Sequence, residues 1–139
     1  MAEAGIGSSR SRRKEKNRIS GPFVPLLITT LNSPAWKALS HGAKVLYIAL
    51  KRRAPNAHNR CYLSYRDAED EIRANKRNIA QWFRELKYYG FIALAQPGCL
   101  GVEGRGKAPH WRLTEKGIAG VEHPTNDFQR WNGVPRPSL

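Results

Sequence analysis

The side chains best suited to recognition chemistry are concentrated in one stretch, ANKRNIAQWFRELKYYGFI, at residues 74–92. Five of its polar residues are of types that contact bases in DNA: Lys76, Arg77, Asn78, Gln81 and Arg84. The donor and acceptor groups of Arg, Lys, Asn and Gln fit base edges in the major groove, and the small Ala80 allows a helix to approach closely. The stretch therefore has the residue types for reading DNA, provided that one surface presents them.

Helical periodicity divides this stretch into two faces. The side chains that fall within about 60° of Ile79 form an apolar stripe, which consists of Trp82, Phe83 and Leu86. The opposite half is polar and carries Arg77, Gln81, Arg84 and Tyr88, while the acidic Glu85 lies at the side. A solvated helix face has the same polarity, and for an arbitrary helix we would favour that interpretation by roughly three to one. The position of the helix in the fold must therefore decide between a solvated face and a face that reads DNA.

Three other patterns could indicate nucleotide binding, zinc binding or catalysis, but the sequence matches each of them poorly. GVEGRGK, residues 101–107, matches the first part of a phosphate-binding loop, but that motif requires Ser or Thr next and then a helix, and here Ala108 and Pro109 follow. Four possible zinc ligands lack the spacing of paired ligands: His58, Cys61, Cys99 and His110. No combination of Ser or Cys with His and an acid stands out as a catalytic triad. We therefore expect no enzymatic activity, no metal and no cofactor.

The chain is strongly basic, which favours a polyanionic partner. Lys and Arg number 24 against 11 Asp and Glu, giving a formal net charge of +13. Residues 1–21 combine Gly, Ser and basic side chains with little to bury and predict a disordered arm, in which Arg12 and Arg13 would contact phosphates. No apolar run approaches the roughly 18 residues of a membrane span, and the N-terminus lacks the apolar region of a secretory signal. We expect a cytoplasmic, nucleoid-associated protein.

Capping residues indicate where the first helices begin. An apolar, strand-like run, FVPLLITTL, is followed by Asn32 and Ser33, which are both good N-caps, and by Pro34; together they predict a short helix around Trp36. Ser40 predicts the start of a helix over about residues 41–53. Its buried side is expected to carry apolar residues at helical spacing, namely Ala43, Leu46, Tyr47 and Leu50.

The next caps place the polar stretch on the second helix of a pair. Ser64 opens a helix that runs to Ile72, and Asn75 caps a helix that ends at Gly90. Two short helices separated by about three residues are a helix-turn-helix arrangement. The strands FIALAQ and HWRLTEKG then predict a β-hairpin with a long glycine-rich tip.

The segment LSYRDAEDEIRANKRNIAQWFRELKYYGFI, residues 63–92, is similar to the two-helix core of winged helix-turn-helix domains, and WRLTEKG, residues 111–117, resembles their second wing strand. The resemblance spans about residues 22–117. It is closest to small winged-helix proteins of bacterial mobile elements, including domains of phage and plasmid replication proteins and associated regulators. It implies an α+β fold, mainly α with a small β-hairpin wing, between the arm and a C-terminal tail at 118–139.

The resemblance also implies a set of DNA contacts. The second helix would contact DNA through Lys76, Arg77, Asn78, Gln81 and Arg84, and base contacts from this helix would supply specificity. In the wing, Arg105 and Lys107 would lie near the DNA backbone or minor groove, and Lys44, Lys51 and the arm would add salt-dependent phosphate contacts. Two departures from the family pattern bear on the angle between the helices: Glu69 stands where Ala is favoured, and Arg73 stands where Gly is favoured in the turn.

The tail contains a second feature of interest, the segment PTNDFQRW at residues 124–131. Thr125 is a possible helix cap, and Phe128 and Trp131 are three residues apart, so both would lie on one side of a turn. Docking of these aromatics on their own domain is favoured by about two to one over dimerisation or partner binding, because exposed aromatics are unfavourable in a monomer.

These features predict a sequence-specific protein that binds double-stranded DNA, either as a transcriptional regulator or as an accessory replication or recombination factor of a mobile element. It would act alone, as a homodimer, or with a larger replication or recombination partner. Two other functions stay open. One is RNA binding, with Tyr65, Tyr88 and Tyr89 available for stacking, and the other is a protein-interaction module of a replication or recombination complex.

Overall fold

The helix around Trp36 and the helix that follows it both begin at the predicted serine caps. The structure is a computed structural model that describes residues 19–53, 59–96, 99–100, 106–107, 109–118, 120 and 122–137. It starts with α1 (Ile28–Leu31), α2 (Pro34–Ala38) and α3 (His41–Arg52). The Ser33 and Ser40 hydroxyls accept hydrogen bonds, each of 3.2 Å, from backbone N–H groups two or three residues into α2 and α3.

The apolar run before these caps does not form the strand that its composition suggests. Residues 19–27 have no regular secondary structure, and the run ends in α1. Pro22 and Pro25 lack the N–H that a sheet ladder requires, which explains why this segment does not join the sheet.

The predicted pair of helices is present, with a tight turn between them. In α4 (Tyr65–Ile72) the Ser64 hydroxyl accepts a 3.1 Å hydrogen bond from the Asp67 N–H. In α5 (Lys76–Tyr88) the Asn75 side-chain oxygen accepts a 2.8 Å hydrogen bond from the Asn78 N–H. Arg73 in the turn has φ 62° and ψ 50°, the left-handed conformation that glycine adopts most easily. The turn thus has the geometry for which glycine is favoured, at a cost in backbone strain.

Gly90 ends α5 as predicted. Its φ of +88° reverses the chain, its N–H donates to the Lys87 carbonyl at 3.2 Å, and the Phe91 N–H donates to the Leu86 carbonyl at 3.0 Å. This cap leads directly into the sheet.

Within the part of the chain that the structure describes, no helix is long and apolar enough to cross a bilayer.

The strands form a small antiparallel sheet with an extended hairpin. β1 (Cys61–Tyr62), β2 (Ile92–Gln96) and β5 (His110–Leu113) are ordered β1-β5-β2, with Ile92 opposite Leu113 and Leu94 opposite Trp111. Beyond a bulge at the end of β2, β3 (Cys99–Leu100) pairs with β4 (Gly106–Lys107). The fold is therefore mainly α with a small β wing, as predicted.

Aromatic side chains fill the core between the helices and the sheet. The rings of Trp36, Tyr47 and Phe91 contact one another with centroid distances of 5.5 to 5.8 Å. Phe83 of α5 stacks on Trp111 of β5 at 5.8 Å. The predicted inner face of α3 is buried, including Ala43, Leu46, Tyr47 and Leu50. This packing fixes α5 relative to the wing.

The C-terminal aromatics pack on the same core. A 3-10 helix, Asp127–Arg130, places Phe128 against Phe91 with a centroid distance of 4.7 Å, and Phe128 is 2% exposed. Thr125 does not cap this helix, so that prediction is wrong. Asn126 occupies the cap position, and the Thr125 hydroxyl instead accepts a 3.2 Å hydrogen bond from Arg112.

Candidate nucleic-acid interface

The apolar stripe of α5 is the face that anchors this helix in the domain. Ile79, Phe83 and Leu86 are buried. Trp82 is partly buried and lies over Gly42 at the start of α3, where an added Cβ would come within 2.0 Å of the indole ring. Because only glycine fits there, α3 and α5 are locked at close range, and the opposite half of α5 is forced outward.

The acidic residue of α5 is turned away from that outward half. Glu85 is 8% exposed and accepts hydrogen bonds from both the N–H and the hydroxyl of Ser40, the latter at 2.9 Å. The carboxylate therefore caps α3 from a neighbouring helix, 45 positions away in the sequence. Sequence periodicity predicts only that Glu85 lies at the side of α5, and it does not reveal the hydrogen-bond partner of this residue. The consequence is a polar face of α5 without a carboxylate.

The five predicted base-reading residues of α5 all lie on its exposed side: Lys76, Arg77, Asn78, Gln81 and Arg84. Within the described part of the chain, none of their side chains forms an ion pair or a hydrogen bond. Long polar side chains without internal hydrogen bonds or ion pairs have their donors and acceptors available to a ligand. The structure thus brings together the part of the predicted site that lies on α5.

The charges at the start of α5 oppose the helix dipole. Lys76 and Arg77 occupy the first turn, which contains no acidic residue. A cation at a helix N-terminus is unfavourable by about 0.3–1 kcal/mol, whereas an acid there is favourable. α4 follows the favourable rule, with Asp67 in its first turn. The start of α5 is therefore poorly arranged for stability in isolation and well arranged for a nearby anion, such as a phosphate.

Several predicted contacts lie at residues that the structure does not describe or describes only in part. Arg12 and Arg13 of the arm and Arg105 of the wing tip lie outside the described residues. For Lys107 only the backbone is described, and it pairs with Cys99 between β4 and β3. These four residues stay as predicted contacts of the arm and the wing.

The two lysines of α3 are less open than the sequence suggests. The Lys44 ammonium lies 5.9 Å from the centroid of the Trp36 ring, and its side chain is partly buried. The Lys51 ammonium pairs with Glu115, and these side chains are only 10% and 2% exposed. Because its charge is neutralised inside the fold, Lys51 is unsuited to the phosphate contact that was predicted for it.

Lys51 belongs to a buried polar network that the sequence does not reveal. Glu115 also accepts a 2.7 Å hydrogen bond from the Thr30 hydroxyl, so it joins α1, α3 and the segment after β5. Burial, together with the nearby positive charge of Lys116, lowers the pKa of Lys51 to about 8, and the adjacent carboxylate favours the ammonium form at neutral pH. The network is a structural element of the domain.

Cys61 is a packing residue. It is 1% exposed, its thiol donates to the Trp111 carbonyl at 3.3 Å, and burial raises its pKa to about 12. A thiol in this state is a poor nucleophile and a poor metal ligand, since both roles require the thiolate. Among the described residues, no three His, Cys, Asp or Glu side chains are grouped as metal ligands.

Comparison with known proteins adds a structural likeness. No protein-family profile and no curated protein sequence matches the chain. A solved structure of an MDR initiator is similar over 86% of this chain and 90% of that chain, with a TM-score of 0.50 and 18% sequence identity. At this level of identity the likeness concerns the fold alone.

Proposed function

We propose that this chain is a winged helix-turn-helix protein that binds double-stranded DNA in a sequence-specific manner, without catalysis. It would act as a transcriptional regulator or as an accessory factor of replication or recombination. One observation carries this proposal: α5 follows a tight turn and presents five polar side chains that form no ion pair or hydrogen bond within the described part of the chain, on a face without a carboxylate.

In this mechanism α5 enters the major groove. Its 13 residues span about 20 Å, and the groove is about 12 Å wide, so its first two turns can reach base edges while its end approaches the backbone. Arg77 and Arg84 have the donor geometry for guanine, and Asn78 and Gln81 have the paired donor and acceptor for adenine. Each well-formed bidentate contact is worth about 1–3 kcal/mol of discrimination between bases.

Phosphate contacts supply the second part of the affinity. Lys76 at the start of α5, the arm and the wing would each neutralise phosphates and release counterions. The logarithm of affinity then falls with the logarithm of salt concentration, with a slope of about −0.9 for each phosphate neutralised. Loss of one such contact should weaken binding to all sequences equally.

The same fold leaves RNA as the alternative ligand. One sequence argument for RNA is stacking on three tyrosines. Tyr89 is only 5% exposed and packs against Trp131, whereas Tyr65 is 40% exposed and packs one side of its ring against Phe83. The fold neighbour is described as an MDR initiator, which is a statement about that protein. A shared fold does not fix function, however, so the role must be found by experiment.

The proposal is tested with two kinds of variant. Gln81→Ala and Arg77→Ala should flatten the preference among duplex sequences, whereas Lys107→Ala should weaken all sequences alike and reduce the salt slope by about 1. Gln129→Ala is the matched control for Gln81→Ala, because Gln129 is equally an exposed glutamine but lies on the 3-10 helix. Sequence preferences that are identical in wild type, Gln81→Ala and Arg77→Ala would show that α5 does not read bases.

A further inference from the structure

The C-terminal residues after the 3-10 helix form an organised segment, which we call the tail segment (residues 131–137). Its turn has Gly133 at φ +86°. The Val134 N–H donates to the Asn132 side-chain oxygen, and the Val134 carbonyl accepts from the Trp131 indole N–H, each at 2.9 Å. These local hydrogen bonds give the segment a defined shape although most of its residues are exposed.

Two tyrosines at the C-terminal end of α5 form hydrogen bonds with the tail segment. The Tyr88 hydroxyl donates to the Val134 carbonyl at 2.9 Å, and the Arg136 N–H donates to the Tyr89 hydroxyl at 2.9 Å. The Trp131 ring also packs edge-on against Tyr89 with a centroid distance of 5.2 Å. The segment therefore occupies a fixed position relative to α5.

That position continues the polar face of α5. Tyr88 is 42% exposed and lies within about 20° of Arg77 around the helix axis, roughly 16 Å further along it. The side chains of Gln81 and Arg84 lie between the two. A duplex that contacts the first two turns of α5 would therefore have its backbone close to Tyr88 and to the tail segment.

The tail segment brings a cation to this place. Arg136 is a partly exposed residue, and its guanidinium makes no ion pair and no hydrogen bond within the described part of the chain. Arg130 differs, since its guanidinium pairs with Asp127 at 2.8 Å. Lys87 is also exposed nearby, but a lysine in the last turn of a helix is explained by the helix dipole. Arg136 has no such explanation.

Two prolines reinforce the arrangement. Pro135 and Pro137 flank Arg136, and each ring fixes its own φ and restricts the residue before it. Less backbone freedom is then lost when the arginine binds a ligand, which favours an intermolecular contact. The tail segment is thus a preorganised support for one guanidinium that has no ion pair or hydrogen bond within the described part of the chain.

We propose that the tail segment is part of the DNA-binding surface and that Arg136 contacts a backbone phosphate beside the bases read by α5. This inference rests on the proposed function and deepens it. Backbone contacts at the C-terminal end of a recognition helix help to fix the register of that helix on the duplex. The Tyr88 hydrogen bond would position the arginine, and Arg136 would provide the charge.

Arg136→Ala tests the charge. On a fluorescein-labelled duplex of mixed sequence, this variant should bind more weakly and with a salt slope reduced by about 1, with no change in sequence preference. Lys37→Ala is the control, because Lys37 is an exposed cation on α2 without an ion pair in the described part of the chain. An unchanged slope in Arg136→Ala, or an equal reduction in Lys37→Ala, would overturn the inference.

Tyr88→Phe tests the positioning without altering any charge. It removes the hydroxyl that holds Val134, so it should weaken binding in the wild-type background and have little effect in an Arg136→Ala background. Effects that add fully in the double variant would mean that Tyr88 acts on DNA by itself, which would contradict the positioning role. Circular dichroism checks that each variant folds, which is expected because both side chains are at the surface.

Failure of the inference can be told apart from failure of the proposed function. If wild type selects a duplex motif and Arg136→Ala binds it with unchanged affinity and salt slope, the tail contact is wrong and sequence readout by α5 stands. If wild type does not bind duplex DNA, both are wrong.

Discussion

Replacing Lys51 with Met is expected to destabilise the fold strongly without affecting DNA binding. The variant leaves the Glu115 carboxylate, which is 2% exposed, without its cationic partner. Removing one partner of a buried ion pair costs about 3–5 kcal/mol. Since Glu115 keeps its hydrogen bond from Thr30, we expect a value near 3 kcal/mol, a large fraction of the 5–15 kcal/mol that is typical of a folded domain.

A double variant separates the buried charge from simple loss of packing. Lys51→Met combined with Glu115→Gln removes both charges but keeps a side-chain oxygen that can accept from Thr30. Because a buried pair replaced as a whole is often nearly neutral in stability, the double variant should regain most of the loss and lie within about 1 kcal/mol of wild type. Equal losses in the single and double variants would show that charge burial is not the cause.

Urea unfolding measures the free energies, and fluorescence anisotropy on a duplex measures binding under conditions where the variants stay folded. The structure predicts a loss of about 3 kcal/mol in stability for Lys51→Met, with an unchanged salt slope for binding. A stability loss below about 1 kcal/mol, together with a salt slope reduced by about 1, would instead support the phosphate contact predicted from the sequence.

Three further variants probe the packing that supports α5. Gly42→Ala should lower stability by about 1–3 kcal/mol in a thermal melt, because its Cβ would lie 2.0 Å from the Trp82 ring; an unchanged melting temperature would show that the two helices are not in such close contact. Phe128→Ala should cost about 3–5 kcal/mol in urea, since Phe128 is 2% exposed against Phe91. A loss below about 1 kcal/mol would mean that the C-terminal segment is not docked. Arg73→Gly should raise stability by about 0.5 kcal/mol by relieving the left-handed turn, and a decrease would contradict that backbone conformation.

Features that depend on neighbouring residues could be predicted from the sequence. Ser33, Ser40, Ser64 and Asn75 all cap helices where expected, because a cap bonds to backbone only two or three positions away. The apolar stripe of α5 followed from helical periodicity, and so did its exposed polar face. Most of the candidate interface on α5 could therefore be predicted from the local sequence.

Features that depend on distant residues could not be predicted in this way. Lys51 and Glu115 are 64 positions apart, and Tyr88 and Val134 are 46 apart, so no local pattern links either pair. Lys51 is an example: its charge is visible in the sequence, but its burial and its pairing with Glu115 are not. The sequence does not single out Arg136, because one arginine between two prolines has no periodic pattern.

The central claim, sequence readout by α5, is tested most directly by selecting randomised duplex DNA on the purified protein at near-physiological salt, with structured RNA as competitor. We expect an enriched motif with wild type and with Gln129→Ala, and loss of that motif with Gln81→Ala. A palindromic motif would further indicate a dimer. No enrichment with wild type, together with stronger competition by RNA than by duplex DNA, would contradict the claim and support an RNA ligand.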